Sequence, residues 1–142
     1  MKKIETFCIV DDDDIYQFTT SLLLKKTDLV NKIIVFSNGL KAINFLKDEM
    51  GNKENIPDVL FLDINMPVMD GWEFLEEYLL IKSMMPKTVV IYMVSSSVDE
   101  KDVLKAKSIS ALSGYLVKPI SSQNIMEVIL EILNWVLFSH HF

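Results

Sequence analysis

The chain has 142 residues, 50% apolar and 24% charged, which excludes a disordered polyelectrolyte and fits one domain over 1–142 with its core at about 4–138. A net charge of −6, a pI near 4.8 and no basic cluster denser than Lys2-Lys3 or Lys25-Lys26 exclude nucleic acid as a direct partner. Cys8 is the only cysteine, which rules out an internal disulfide and suits a reducing cytoplasm.

The first element is "IETFCIV" (4–10), a β-rich run that reads as a buried strand with Cys8 as a structural thiol. Four aspartates, Asp11 to Asp14, follow it. At an effective dielectric near 20, two carboxylates about 5 Å apart cost on the order of 3 kcal/mol, so either water or a cation has to offset them. A helix over about 15–26 then puts Ile15, Phe18, Leu22 and Lys25 on one face.

"KIIVF" (32–36) is the second strand and about 38–50 the second helix. "GNKENIPD" (51–58) is turn chemistry, with Pro57 leading into the third strand, "DVLFLD" (58–63). Asp70-Gly71 is a turn that starts a helix over 71–82, and Met66 and Met69 read as packing residues. "TVVIYMV" (88–94) is the fourth strand. "SVDE" (97–100) has the spacing of a capping box, with Ser97 and Glu100 opening a helix over 98–108. "GYLV" (114–117) is the fifth strand, and Ser121 or Ser122 caps a last helix over 121–138.

That last helix carries Glu127 and Glu131 and is shorter than the roughly 20 apolar residues of a membrane span, so no membrane partner is expected. Ile125, Val128, Ile129, Ile132, Leu133 and Val136 form one stripe; Met126, Leu130 and Leu137 form a second, with Trp135 on the other flank. The arc is wider than a one-sided surface helix needs. Trp72 is an anchor of unassigned burial, and His140 and His141 lie too near the end to carry chemistry.

Five strands alternating with five helices predict an α/β fold, a flavodoxin-like (βα)5 doubly wound parallel sheet in the order 2-1-3-4-5. In such sheets ligands bind beyond the carboxyl ends of the strands. Those ends carry Asp11 and Asp12, Asp63, Ser95 and Lys118, while the second strand ends in Ser37 and Asn38 with nothing distinctive. The set suits phosphoryl transfer to a carboxylate. Asp63 on the central strand is the nucleophile, Asp11 and Asp12 hold Mg²⁺, Lys118 supplies a charge and Ser95 a hydroxyl.

The segments "VDDD" (10–13), "PDVLFLDINMPVMDGWEFL" (57–75), "VIYMVSSS" (90–97) and "GYLVKPI" (114–120) together resemble the receiver domain of two-component response regulators. The resemblance implies Asp63 as phosphoacceptor, Asp11 and Asp12 as the metal-binding acidic pair, and the backbone carbonyl of Asn65 as a further metal ligand. It implies Ser95 as switch hydroxyl, Lys118 as the site lysine and Tyr115 as switch aromatic, with Asp13 and Asp14 solvated or capping. It further implies a histidine kinase or phosphotransfer protein as phosphodonor. Output then goes to a protein target or a second copy through the fourth helix, fifth strand and fifth helix. With four residues after 138, a stand-alone receiver without an output domain is the expectation, and not a turnover enzyme.

Two other readings compete. A haloacid-dehalogenase-like phosphatase would use Asp11 and Asp13 as a D-x-D pair, but it leaves Asp63 and "DINMPVMDG" unexplained. A partner-binding domain indifferent to phosphate is the other.

Overall fold

The computed structural model describes residues 2–139, with side chains described through residue 134. Strands β1 (Ile4–Val10), β2 (Val30–Phe36), β3 (Val59–Asp63), β4 (Val90–Ser95) and β5 (Leu112–Val117) form one sheet in the order β2-β1-β3-β4-β5. All neighbours are parallel. The helices are α1 (Asp14–Lys26), α2 (Gly39–Asp48), α3 (Gly71–Ile81), α4 (Glu100–Lys107) and α5 (Ser122–Ser139). The doubly wound architecture expected from the alternating segments is the one observed. No helix among the described residues is long and apolar enough to cross a membrane.

Strand alternation builds the two cores. Cys8, Val10, Leu60, Leu62, Ile91 and Met93 face one side and meet Ala42, Ile43 and Leu46 of α2 and Phe74, Leu75 and Tyr78 of α3. The residues between them, Phe7, Ile9, Val59, Phe61, Tyr92 and Val94, face the other and meet α1 and α5. The fully buried side chains stabilise by roughly 1.5–3 kcal/mol each for the larger ones, so this sandwich is what holds the strand ends rigid.

Helix α1 sits differently from the sequence expectation. Its buried residues are Tyr16, Thr20 and Leu24, whereas Ile15, Phe18 and Leu22 are exposed and Lys25 faces water. The Asp13 carboxylate accepts from the Ile15 and Tyr16 amides, which fixes the helix start, and Tyr16 and Leu24 of the i, i+4, i+8 set pack into the core on this side of the sheet. A second correction concerns α4. Asp99 caps it, accepting from the Lys101 amide, two residues after the expected Ser97, so the Ser97/Glu100 capping box does not form. Ser97 makes a turn instead, accepting from the Asp99 amide and donating to Asp102.

The last helix starts as expected, with Ser121 Oγ accepting from the Asn124 amide. Ile125, Val128, Ile129 and Ile132 are buried, Leu133 and Met126 are half-buried, and Leu130 is exposed. The side chains of Trp135, Val136 and Leu137, and residues His140 and His141, lie outside the described set. Trp72 is half-buried against the α2–α3 core, with the Lys105 ammonium of α4 4.4 Å from its ring centre.

Candidate phosphoacceptor site

Each element of the site is held by the chain around it. The Asp11 amide donates to the Phe36 carbonyl at 3.0 Å, and the Lys118 amide to the Ser95 carbonyl at 2.9 Å, so neighbouring strand ends are tied as they leave the sheet. After β3 the chain turns back sharply, and the Gly71 amide donates to the Ile64 carbonyl at 2.8 Å. A Cβ on Gly71 would lie 2.3 Å from the Asp63 carbonyl oxygen, so glycine alone lets α3 start this close to the strand end. Asp70 caps α3 in a reciprocal box with Glu73. Within the turn, Val68 has φ 69°, and the Met69 amide donates to the Pro67 carbonyl at 2.8 Å, a tight turn that a β-branched residue adopts only under strain.

At the rim formed by these strand ends, one carboxylate oxygen from each of Asp11, Asp12 and Asp63 lies within 4.8 Å of the others. Asp11 and Asp63 are buried and Asp12 is exposed. Lys118 Nζ lies 2.6 Å from Asp11 Oδ2 and 3.6 Å from Asp63 Oδ1. Burial, and then the charge of Asp11, push the Asp63 carboxyl up to about 6, partly opposed by Lys118. Burial also raises Asp11, while the hydrogen bond from Lys118 pulls the other way. Three carboxylates against one ammonium leave a concentrated negative site. Hard oxygen donors packed this way fit a divalent cation that keeps several waters, such as Mg²⁺.

Of the remaining predicted residues, Ser95 ends β4 one residue past the partner of Asp63, and Tyr115 lies on β5 opposite Met93. Ser95 is fully buried and its Oγ accepts from the Ser97 amide at 3.1 Å. The Tyr115 hydroxyl donates to the Ser97 carbonyl at 2.9 Å. Asn65 is exposed on the loop two residues beyond Asp63. Asp13 spends its carboxylate on the α1 cap, so it is not free as the second member of a D-x-D pair, and the phosphatase reading loses its general acid.

Residues 7–130 match the response regulator receiver domain family. The chain belongs to that family. Among solved structures, a two component response regulator from Cytophaga hutchinsonii is 29% identical with a TM-score of 0.84, over 94% of this receiver and 99% of that chain. The transcriptional regulatory protein LnrK of Bacillus subtilis is 31% identical over 124 residues, 87% of this chain and 51% of its own. The sensor histidine kinase CheAY of Helicobacter pylori is 31% identical over 93 residues, 66% of this chain and 11% of its own. This receiver therefore spans about half of LnrK and a small part of CheAY. Receiver domains as a family interact with histidine kinases and phosphotransfer proteins, typically bind Mg²⁺, and signal rather than turn over substrates.

Sequence reasoning missed three residues or pairs that hold the elements around the site. Asn38, passed over at the end of β2, caps α2 by accepting from the Lys41 amide. The Asp70/Glu73 box was visible as D-x-x-E before an apolar run. Tyr16 was visible as the first of an i, i+4 set. Ser97, expected to cap α4, instead donates its amide to Ser95 Oγ and accepts from the Tyr115 hydroxyl through its carbonyl.

Proposed function

We propose that this receiver takes a phosphoryl group onto Asp63 from a phosphohistidine of a histidine kinase or phosphotransfer protein. The observation that carries the reading is the Asp63 carboxylate, buried at the centre of the acidic cluster with an ammonium 3.6 Å away. An Asp63 oxygen attacks phosphorus, the P–N bond breaks, and its electron pair leaves with an imidazole that is neutral because its other nitrogen is protonated. With acetyl phosphate the P–O bond breaks and acetate leaves. Lys118 then offers its charge to a phosphoryl oxygen, and Ser95 its hydroxyl to another.

Asp11, Asp12, Asp63 and the Asn65 backbone carbonyl would hold Mg²⁺, which when bound offsets the charge of the phosphoryl oxygens and of the carboxylates themselves. Drawing the Ser95 hydroxyl toward the phosphoryl group costs its bond from the Ser97 amide. Ser97 also bonds Tyr115 through its carbonyl and Asp102 of α4 through its hydroxyl. That link favours output through α4, β5 and α5, toward a protein target or a second copy, with Leu130 exposed on α5. The exposed Ile15 and Phe18 on the first turns of α1, next to Asp12, favour an apolar phosphodonor surface at the mouth of the site.

The test is intact-mass labelling with acetyl phosphate and Mg²⁺. Wild type gains one phosphoryl group and Asp63→Asn gains none while keeping its fold. Equal labelling of both would move the acceptor elsewhere. A chain that ignores both acetyl phosphate and beryllium fluoride would favour the phosphate-indifferent binding domain.

A further inference from the structure

We propose that Tyr16 is a positioning residue for phosphoryl transfer, its ring face holding the Lys118 ammonium at the site; this rests on the phosphoacceptor reading above. The Lys118 Nζ lies 4.3 Å from the centre of the Tyr16 ring. At that separation an ammonium is attracted to the ring face, most strongly where water is scarce. Water is scarce here, with the Lys118 side chain 18% exposed and Tyr16 8%.

The ring differs in kind from the other partners of Lys118. Asp11 and Asp63, its two carboxylate neighbours, are both oxygen donors that a cation and a phosphoryl group would engage. Once Asp11 turns to a cation and Asp63 carries the phosphoryl group as an acyl phosphate, the ammonium keeps one partner that neither of them competes for. A flexible four-carbon stem without that partner would spend more time in solvent. The ring therefore keeps the charge near the phosphoryl oxygens while the acidic residues change hands.

The Tyr16 hydroxyl has no part in this. It is buried and makes no hydrogen bond among the described residues. Burial pushes the phenol well above its usual range, so it stays a neutral aromatic face. An unpartnered buried hydroxyl costs stability. The role thus belongs to the ring, and phenylalanine should serve as well.

The experiment compares Tyr16→Phe and Tyr16→Leu by the initial rate of acetyl phosphate labelling in saturating Mg²⁺, together with NMR of ¹³C-lysine protein. Tyr16→Phe is expected to label at the wild-type rate and to melt higher. Tyr16→Leu is expected to label about 3- to 30-fold more slowly, the range for losing such a contact. In a Lys118→Ala background Tyr16→Leu should add nothing. The Lys118 ε-methylene protons should lie upfield of the other lysines in wild type and Tyr16→Phe. Tyr16→Met repeats the test if Tyr16→Leu does not fold. Wild-type rates for the folded Leu or Met variant, loss of rate in Tyr16→Phe, or no upfield resonance would overturn the positioning role. Wild type that shows the upfield resonance but never labels would overturn the phosphoacceptor reading itself, and the positioning role with it.

Discussion

Neutralising Asp63 should stabilise the cation-free receiver, and by an amount the site geometry sets. The unfolded chain ionises this carboxyl near 3.8 and the folded one at about 6. Between those values the folded state holds more protons, so folding becomes less favourable as pH rises, and the loss is complete above about 6. A shift of that size corresponds to about 3 kcal/mol, and with the side chain 9% exposed there is little solvent screening to reduce it. The amide in Asp63→Asn carries a burial cost of its own, so the expected net gain at about pH 7.5 is about 1–3 kcal/mol, or roughly 3–10 °C in Tm. The measurement is urea unfolding of both proteins in EDTA at about pH 7.5 and about pH 4.5. At the lower pH the ionisation penalty falls to about 1 kcal/mol, because the folded carboxyl is by then almost wholly protonated, so the gap should narrow by about 2 kcal/mol. Asp63→Asn no more stable than wild type at about pH 7.5, or a gap that does not close in acid, would refute the view that the resting site is held together against its own charge.

Asp12→Ala should lose Mg²⁺ binding by calorimetry while the cation-free melting temperature stays level or rises, since the exposed carboxylate gives up repulsion along with a ligand. Gly71→Ala should destabilise by about 2–4 kcal/mol in urea and slow labelling, because its Cβ would force the Asp63 carbonyl aside. Asp13→Ala should cost about 1 kcal/mol from the lost cap and leave labelling of Asp63 intact, the opposite of what a D-x-D phosphatase requires.

The sheet and its acidic rim were legible for one reason: strands buried on both faces must be apolar throughout, so a polar residue at their ends stands out. Asp11, Asp63, Ser95 and Lys118 were found that way. The inward face of α1 was not legible, because this helix carries large apolar residues on both sides, so hydrophobic spacing alone does not choose between them. The start of β5 at Leu112 was hidden by Ser113 and Gly114, where Tyr92 covers the glycine at 3.0 Å from where a Cβ would be. The α4 start was misplaced because Ser97 and Asp99 are both good capping residues, and only the path of the turn chooses between them. Contacts that span the chain, such as Lys118 on Tyr16, have no local signature at all.

Cys8 sits on β1 inside the sheet, buried on the α2–α3 side, and burial pushes its thiol well above the usual range. The thiolate is the reactive form, so in the folded state this sulfur is chemically silent. A maleimide or spin label can therefore be attached to a cysteine introduced on any exposed helix without first removing the native one. Conversely, alkylation of Cys8 itself is a clock for opening of β1. That sulfur distinguishes a rearrangement at the strand ends, which would leave it shielded, from unfolding, which would not.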